Sequence, residues 1–204
     1  HAGPLPPPPP NMPPASRAAT PPAGWLVGSS GVTVAEARPF HLELEVPQPP
    51  SYVVALDASR GYPGFKEHAF PTCFVCGPQR TRGDGLRIFA GPVGEGPLYA
   101  APWIPDASLC CAEGKVLPEM MWAALDCPGA FATGFGRRSL LLGQFAARID
   151  RRVHVDEPCV VLAWSVGSAG RKHYAGTAIF DEDGELCGRA LATWVEPRPA
   201  EPAA

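Results

Sequence analysis

The stretch "EMMWAALDCPGAFATGF", residues 119–135, constrains what this chain can fold into more than any other part of it. Read as a helix it is apolar on every side, and a helix with no polar face must be surrounded by other structure. Its interior carries one charge, Asp126, and no other Asp, Glu, Lys or Arg lies between Met120 and Gly136. Pro118 suits a first helical position, where its missing N–H would go unpaired anyway. The pattern predicts a helix over 118–134, bent or loosened midway by Pro128 and Gly129.

The segments able to surround it read as strands. "LLLGQFAARIDRRV", "PCVVLAWSVG", "RKHYAGTAIFD" and "LCGRALATWVE" follow the helix, each rich in β-branched or aromatic residues and bounded by Gly, Asp or Pro. "LRIF" and "PLYAAPWIP" precede it, the former entered from a Cys- and Gly-rich turn. Further upstream "WLV", the turn "GSSG" and "VTVAEARPFHLELEVP" predict a β-hairpin with a long second strand, whose end alternates with period two. Residues 47–67, rich in Pro, Gly and Tyr, read as a loop. The fold class is therefore α+β, a single antiparallel sheet wrapped around one apolar helix.

This gives a domain plan. Residues 1–24 are an extended Pro-rich segment, 25–67 a hairpin and loop, 68–197 the main domain and 198–204 a flexible tail. The hairpin "WLVGSSGVTVAEARPF…" lines up with "AIFDEDGELCGRALATW…", a partial internal repeat. It reads either as shared turn chemistry or as the closing hairpin of a first copy of the domain. The chain opens on His1 rather than Met, as expected of a processed or internal piece of sequence.

Composition removes several functional classes. A net charge of −3 with scattered Arg and Lys gives no basic field for nucleic acid. No apolar run approaches the roughly 20 residues that span a bilayer, and the start lacks the order of a signal peptide. Seven cysteines, an odd number set mostly in apolar stretches, fit reduced thiols better than a disulfide framework. These readings together predict a cytoplasmic protein. Cys73 and Cys76 form one Cys-x-x-Cys with His68 upstream, and no second pair at zinc spacing follows. The expectation there is a turn with packed thiols and no metal. Gly83-Asp84-Gly85 lacks the Lys and Ser/Thr of a phosphate loop and reads as a turn.

Three stretches carry a family resemblance: "CFVCGPQRTRGDGLRIF", "ALDCPGA" and "GRKHYAGTAIFDEDGELCGRALATW". Together they resemble the hot-dog fold of acyl-CoA thioesterases, most closely the phenylacetate-type branch, over residues 70–197. The resemblance implies hydrolysis of acyl-CoA or a related thioester, with no cofactor beyond the coenzyme A of the substrate. It places Asp126 at the family's helix carboxylate, acting as general base or nucleophile. The alternative for Asp126 is an ion pair with an Arg such as Arg148. Glu119 is either a second acid or a first-turn complement to the helix dipole. Met120 and Trp122 either pack in the core or line an acyl tunnel. Arg171 and Lys172 become candidates for the coenzyme A phosphates, with Arg80, Arg82, Arg137 and Arg138 as looser ones.

One departure bears on catalysis. The family usually shows His-Gly-Gly ahead of the helix, where an amide polarises the thioester carbonyl, and this chain has Leu117-Pro118-Glu119. Pro118 has no N–H, so the amides of Glu119 and Met120 are the remaining donors. The rival function is a non-catalytic acyl-thioester or lipid-binding module. Hot-dog domains join sheets edge to edge, so the resemblance also implies a homodimer or tetramer.

Overall fold

The computed structural model describes residues 24–135 and 138–198. The Pro-rich segment up to residue 23, Arg137 and the tail from residue 199 lie outside the described residues. The hairpin comes first, β1 (Gly24–Val27) and β2 (Thr33–Ala37), followed by α1 (Tyr52–Arg60), β3 (Gly91–Pro92) and β4 (Leu98–Trp103). Two short helices, α2 (Pro118–Ala124) and α3 (Cys127–Ala132), precede β5 (Leu141–Ile149), β6 (Cys159–Ala169), β7 (Lys172–Phe180) and β8 (Leu186–Val195).

Six strands form one antiparallel sheet in the order β3-β4-β6-β7-β8-β5. Period two sorts its side chains onto two faces. Trp103, Val161, Ala175 and Ile179 pack with Met121, Leu125 and Phe131 of the helices, which is the wrapped core the sequence predicts. Val160, Leu162, Trp164, Ala178 and Phe180 point to the opposite face. That face is covered as well, which is why "CVVLAW" of β6 is apolar without alternation.

Its cover corrects two expectations. Within 47–67, residues 52–60 are helix α1, whose Ala55 packs on Ala100, Leu162 and Ala178. Ser51 caps it, accepting from Val54 N–H at 3.4 Å. The predicted long strand through 46 stops at Ala37, just before Pro39. Beyond it "HLELEV" keeps its alternation, with Leu42 buried and Leu44 and Val46 packed down, but the chain lies across the sheet face instead of pairing along an edge. "LRIF" is also not a strand. Leu86 and Ile88 donate to Phe74 O (2.8 Å) and Val75 O (2.9 Å), and Arg87 between them sits at φ 54°, which breaks the extension.

The hairpin repeat has a geometric counterpart. Val27 pairs with Thr33 as Phe180 pairs with Leu186, with a register shift at the same step. Gly31 and Gly184 both take φ 79°, the left-handed residue that closes such a turn. The first hairpin stays outside the six-stranded sheet, and Trp25, Leu26, Val32 and Val34 on it are exposed.

Candidate functional site

The predicted single helix over 118–134 is broken at Leu125-Asp126, and Pro128 is the reason. It has no N–H to give to the carbonyl of Ala124, and its ring crowds that carbonyl. The ladder tightens ahead of the break: Leu125 N–H is shared between Met121 O (3.3 Å) and Trp122 O (3.2 Å), and Asp126 N–H reaches Ala123 O (3.1 Å). The chain restarts as α3 with Asp126 at the N-cap, φ −78° and ψ −82°, its side chain making no capping bond. Thr177 on β7 fixes the corner, its hydroxyl donating to Leu125 O at 2.7 Å in a buried setting.

Asp126 therefore sits on a tightly held corner with a free carboxylate. Its Oδ1 is buried without a hydrogen-bond partner. Arg148, the alternative ion-pair partner, instead holds Asp150 at 2.6 Å. Burial pushes the Asp126 carboxyl up to about 6, and the nearby Cys73 adds to the shift.

Beside it three thiols converge. Cys73, Cys76 and Cys127 place their sulfurs within 4.8 Å of one another, with Cys73 Sγ and Cys127 Sγ 3.6 Å apart. His68 Nε2 lies 3.3 Å from Cys76 Sγ, and its Nδ1 accepts Phe70 N–H at 2.9 Å. The thiols perturb one another. Hydrogen bonds from Cys127 and Cys76 draw the Cys73 thiol down to about 2, helped by the backbone amides of Cys76 and Val75. Cys127 pulls the Cys76 thiol down, but its bond to Cys73 and burial outweigh that and leave it up at about 12. The Cys127 thiol is pushed well up by its bonds to Cys73 and Cys76 and by burial. The predicted pair of packed thiols is thus a group of three. Cys127 comes from a distant segment, so Cys-x-x-Cys spacing could not show it.

The other sequence candidates lie further out. Glu119 is exposed in the first turn of α2, where it complements the dipole. Met120 packs partly against the core, and Trp122 is 42% exposed with its ring edge-on to Phe145 at 5.6 Å. Arg171 donates to Glu196 O at 2.7 Å. It and Lys172 flank the start of β7, and five residues of strand put Lys172 roughly 17 Å from Thr177. Arg80 pairs with Asp84 and Arg138 with Glu196. Of the two proposed amide donors, Met120 N–H is bonded to Leu117 O at 3.0 Å. Two surface clefts, one lined by Arg151, Glu157 and Asp181 and the other by Leu42, Trp164 and Leu191, do not include Asp126. Sequence reasoning missed Thr177, whose only signal was its place in a β-rich run.

No protein-family model and no curated protein sequence matches this chain. Solved structures do. A crystal structure of a thioesterase superfamily protein superposes with TM-score 0.55 at 17% identity, covering 62% of this chain and 61% of that one. The E. coli PaaI protein from the phenylacetic acid degradation operon superposes with TM-score 0.53 at 9% identity, covering 73% of this chain and 97% of that one. The fold is the hot-dog. This chain thus spans about three-fifths of the first neighbour and nearly the whole of the second. The expected architecture is present, with the central helix in two pieces and the corner between them carrying Asp126.

Proposed function

We propose that this hot-dog domain hydrolyses acyl-CoA or a related acyl thioester, with Asp126 as general base or nucleophile. The observation that carries the reading is the Asp126 carboxylate, its Oδ1 buried and unpartnered on a corner pinned by Thr177. A carboxylate left without a structural partner is free to take a proton from water or to attack a carbonyl carbon. Likeness to hot-dog proteins, one of them of the thioesterase superfamily, supports the reaction class. The site is completed by a second copy. Glu119 opens α2, about 9 Å of helix rise from the Leu125 corner that Asp126 follows, so the amide that meets the carbonyl Asp126 attacks is taken from the α2 start of a second copy. Two sheets laid edge to edge would bring one chain's helix start to the other's Asp126.

One observation favours a non-catalytic acyl-thioester-binding module instead. Pro118 has no N–H, and Met120 N–H is spent on Leu117 O, which leaves only Glu119 N–H of the two expected donors. Free-thiol release from a panel of acyl-CoAs separates the readings. Hydrolysis predicts turnover that falls about 10²- to 10⁴-fold in Asp126→Asn while the fold is retained. Saturable binding with no thiol release by the wild type would establish the module. The helices of the described residues include none long and apolar enough to cross a membrane. All seven cysteines are free of disulfides, which supports the proposed cytoplasmic setting.

A further inference from the structure

We propose that Cys73, Cys76 and Cys127 bind one zinc ion through their three thiolates, fastening the loop that begins at His68 to the corner between α2 and α3. The geometry is close to what the ion needs. Zn–S bonds of about 2.3 Å in a tetrahedron set sulfurs roughly 3.8 Å apart. Cys73 and Cys127 stand at 3.6 Å, and all three sulfurs lie within 4.8 Å, so side-chain adjustments of under about 1 Å admit the ion.

The loop is built to hold these sulfurs. Four consecutive carbonyls are engaged: Cys73 O by Gly77 N–H (2.9 Å), Phe74 O by Leu86 N–H (2.8 Å), Val75 O by Ile88 N–H (2.9 Å) and Cys76 O by the Tyr62 hydroxyl (2.9 Å). Gly77 is required there, since a Cβ would lie 2.5 Å from both the N and the O of Cys73. On the other side, the Pro128 break turns Cys127 toward the loop. Among the described residues no other cysteines make such a group: Cys159 and Cys187 are buried but belong to no cluster of three ligands.

An all-sulfur set selects a soft or borderline ion, and zinc accepts it without redox chemistry. Binding replaces S–H bonds with Zn–S bonds and releases the thiol protons to solvent. His68 is an outer donor, not a fourth ligand. With Nδ1 accepting Phe70 N–H, the neutral ring carries its proton on Nε2, aimed at Cys76 Sγ. Water then takes the fourth position.

The test uses the full chain, reduced, stripped with a chelator and titrated with Zn²⁺ or Co²⁺ alone. We expect about one ion per chain and, with Co²⁺, a sulfur-to-metal charge-transfer band with the intense visible bands of a tetrahedral site. Cys127→Ser abolishes this signal, Cys111→Ser retains it, and His68→Ala weakens binding about 10-fold while keeping the spectrum. The wild-type titration decides even where a variant fails to fold. No charge-transfer band at excess Co²⁺ overturns the proposal, as does a Cys73–Cys127 disulfide whose reduced form takes up no metal. Loss in His68→Ala as complete as in Cys127→Ser overturns the outer-donor role.

Discussion

At the residue scale the decisive contact is the Thr177 hydroxyl on Leu125 O, 2.7 Å long and buried. It satisfies a carbonyl that the broken helix cannot, and it sets the direction in which Asp126 leaves the corner. Thr177→Val keeps the shape and removes the donor, leaving a buried carbonyl unpaired at a cost of about 1–3 kcal/mol. Urea denaturation should show that loss as a lower midpoint. Thioester turnover should also fall, and Thr177→Ser should restore both. A Thr177→Val protein of unchanged midpoint and unchanged turnover would show that the corner is held by packing alone. Asp126 itself was legible in the sequence because charge is scarce around it. Thr177 was not, because a threonine in a strand is ordinary and its partner, Leu125 O, is a backbone atom with no sequence signature. Cys127 was hidden for a related reason, since its neighbours Cys73 and Cys76 are distant in the chain.

At the element scale β6, β7 and β8 were legible because burial on both faces demands long apolar runs, whereas the mostly exposed β5 was read from its composition and its bounding residues. Failures came where the backbone departs from regular pairing. "LRIF" has strand composition, yet Arg87 at φ 54° turns it into a clip on the Cys73–Cys76 loop. "HLELEV" has strand alternation, yet it crosses the sheet instead of joining it. α1 was masked by the Pro-rich stretches around it, although Ser51 at its N-cap and Gly61 at its C-cap are ordinary helix boundaries. Its docking depends on small residues. A Cβ on Gly91 of β3 would lie 1.9 Å from Ala58 O, a backbone atom that cannot swing away. Gly91→Ala should therefore push α1 off the sheet and cost about 3 kcal/mol. A fall in denaturation midpoint together with faster amide exchange over 52–60 would record this. Unchanged protection of α1 would mean that β3 shifts and the helix does not.

At the scale of the whole molecule the feature that bears on assembly is β5, the edge strand next to α2. Leu141 and Leu142 on it are 53% and 42% exposed, and Trp122 beside Phe145 is 42% exposed. This edge strand presents large apolar side chains, and its guards are the register shift between Leu142 and Gln144 and the charge of Arg148. β5 also follows the helix that carries Asp126, so a second copy paired there would lay α2 of one chain near the corner of the other. This is the arrangement proposed above for completing the site. Leu142→Lys places a charge on that edge without touching the core, since Leu142 is exposed. If the edge is the interface, sedimentation should show a dimer for the wild type, and the variant should dissociate at least 10-fold more readily, about 1.4 kcal/mol. Turnover per chain should fall with dilution in step with the dimer fraction. A wild type that sediments as a monomer yet turns over thioesters would require Asp126 to find its carbonyl-polarising donor within one chain.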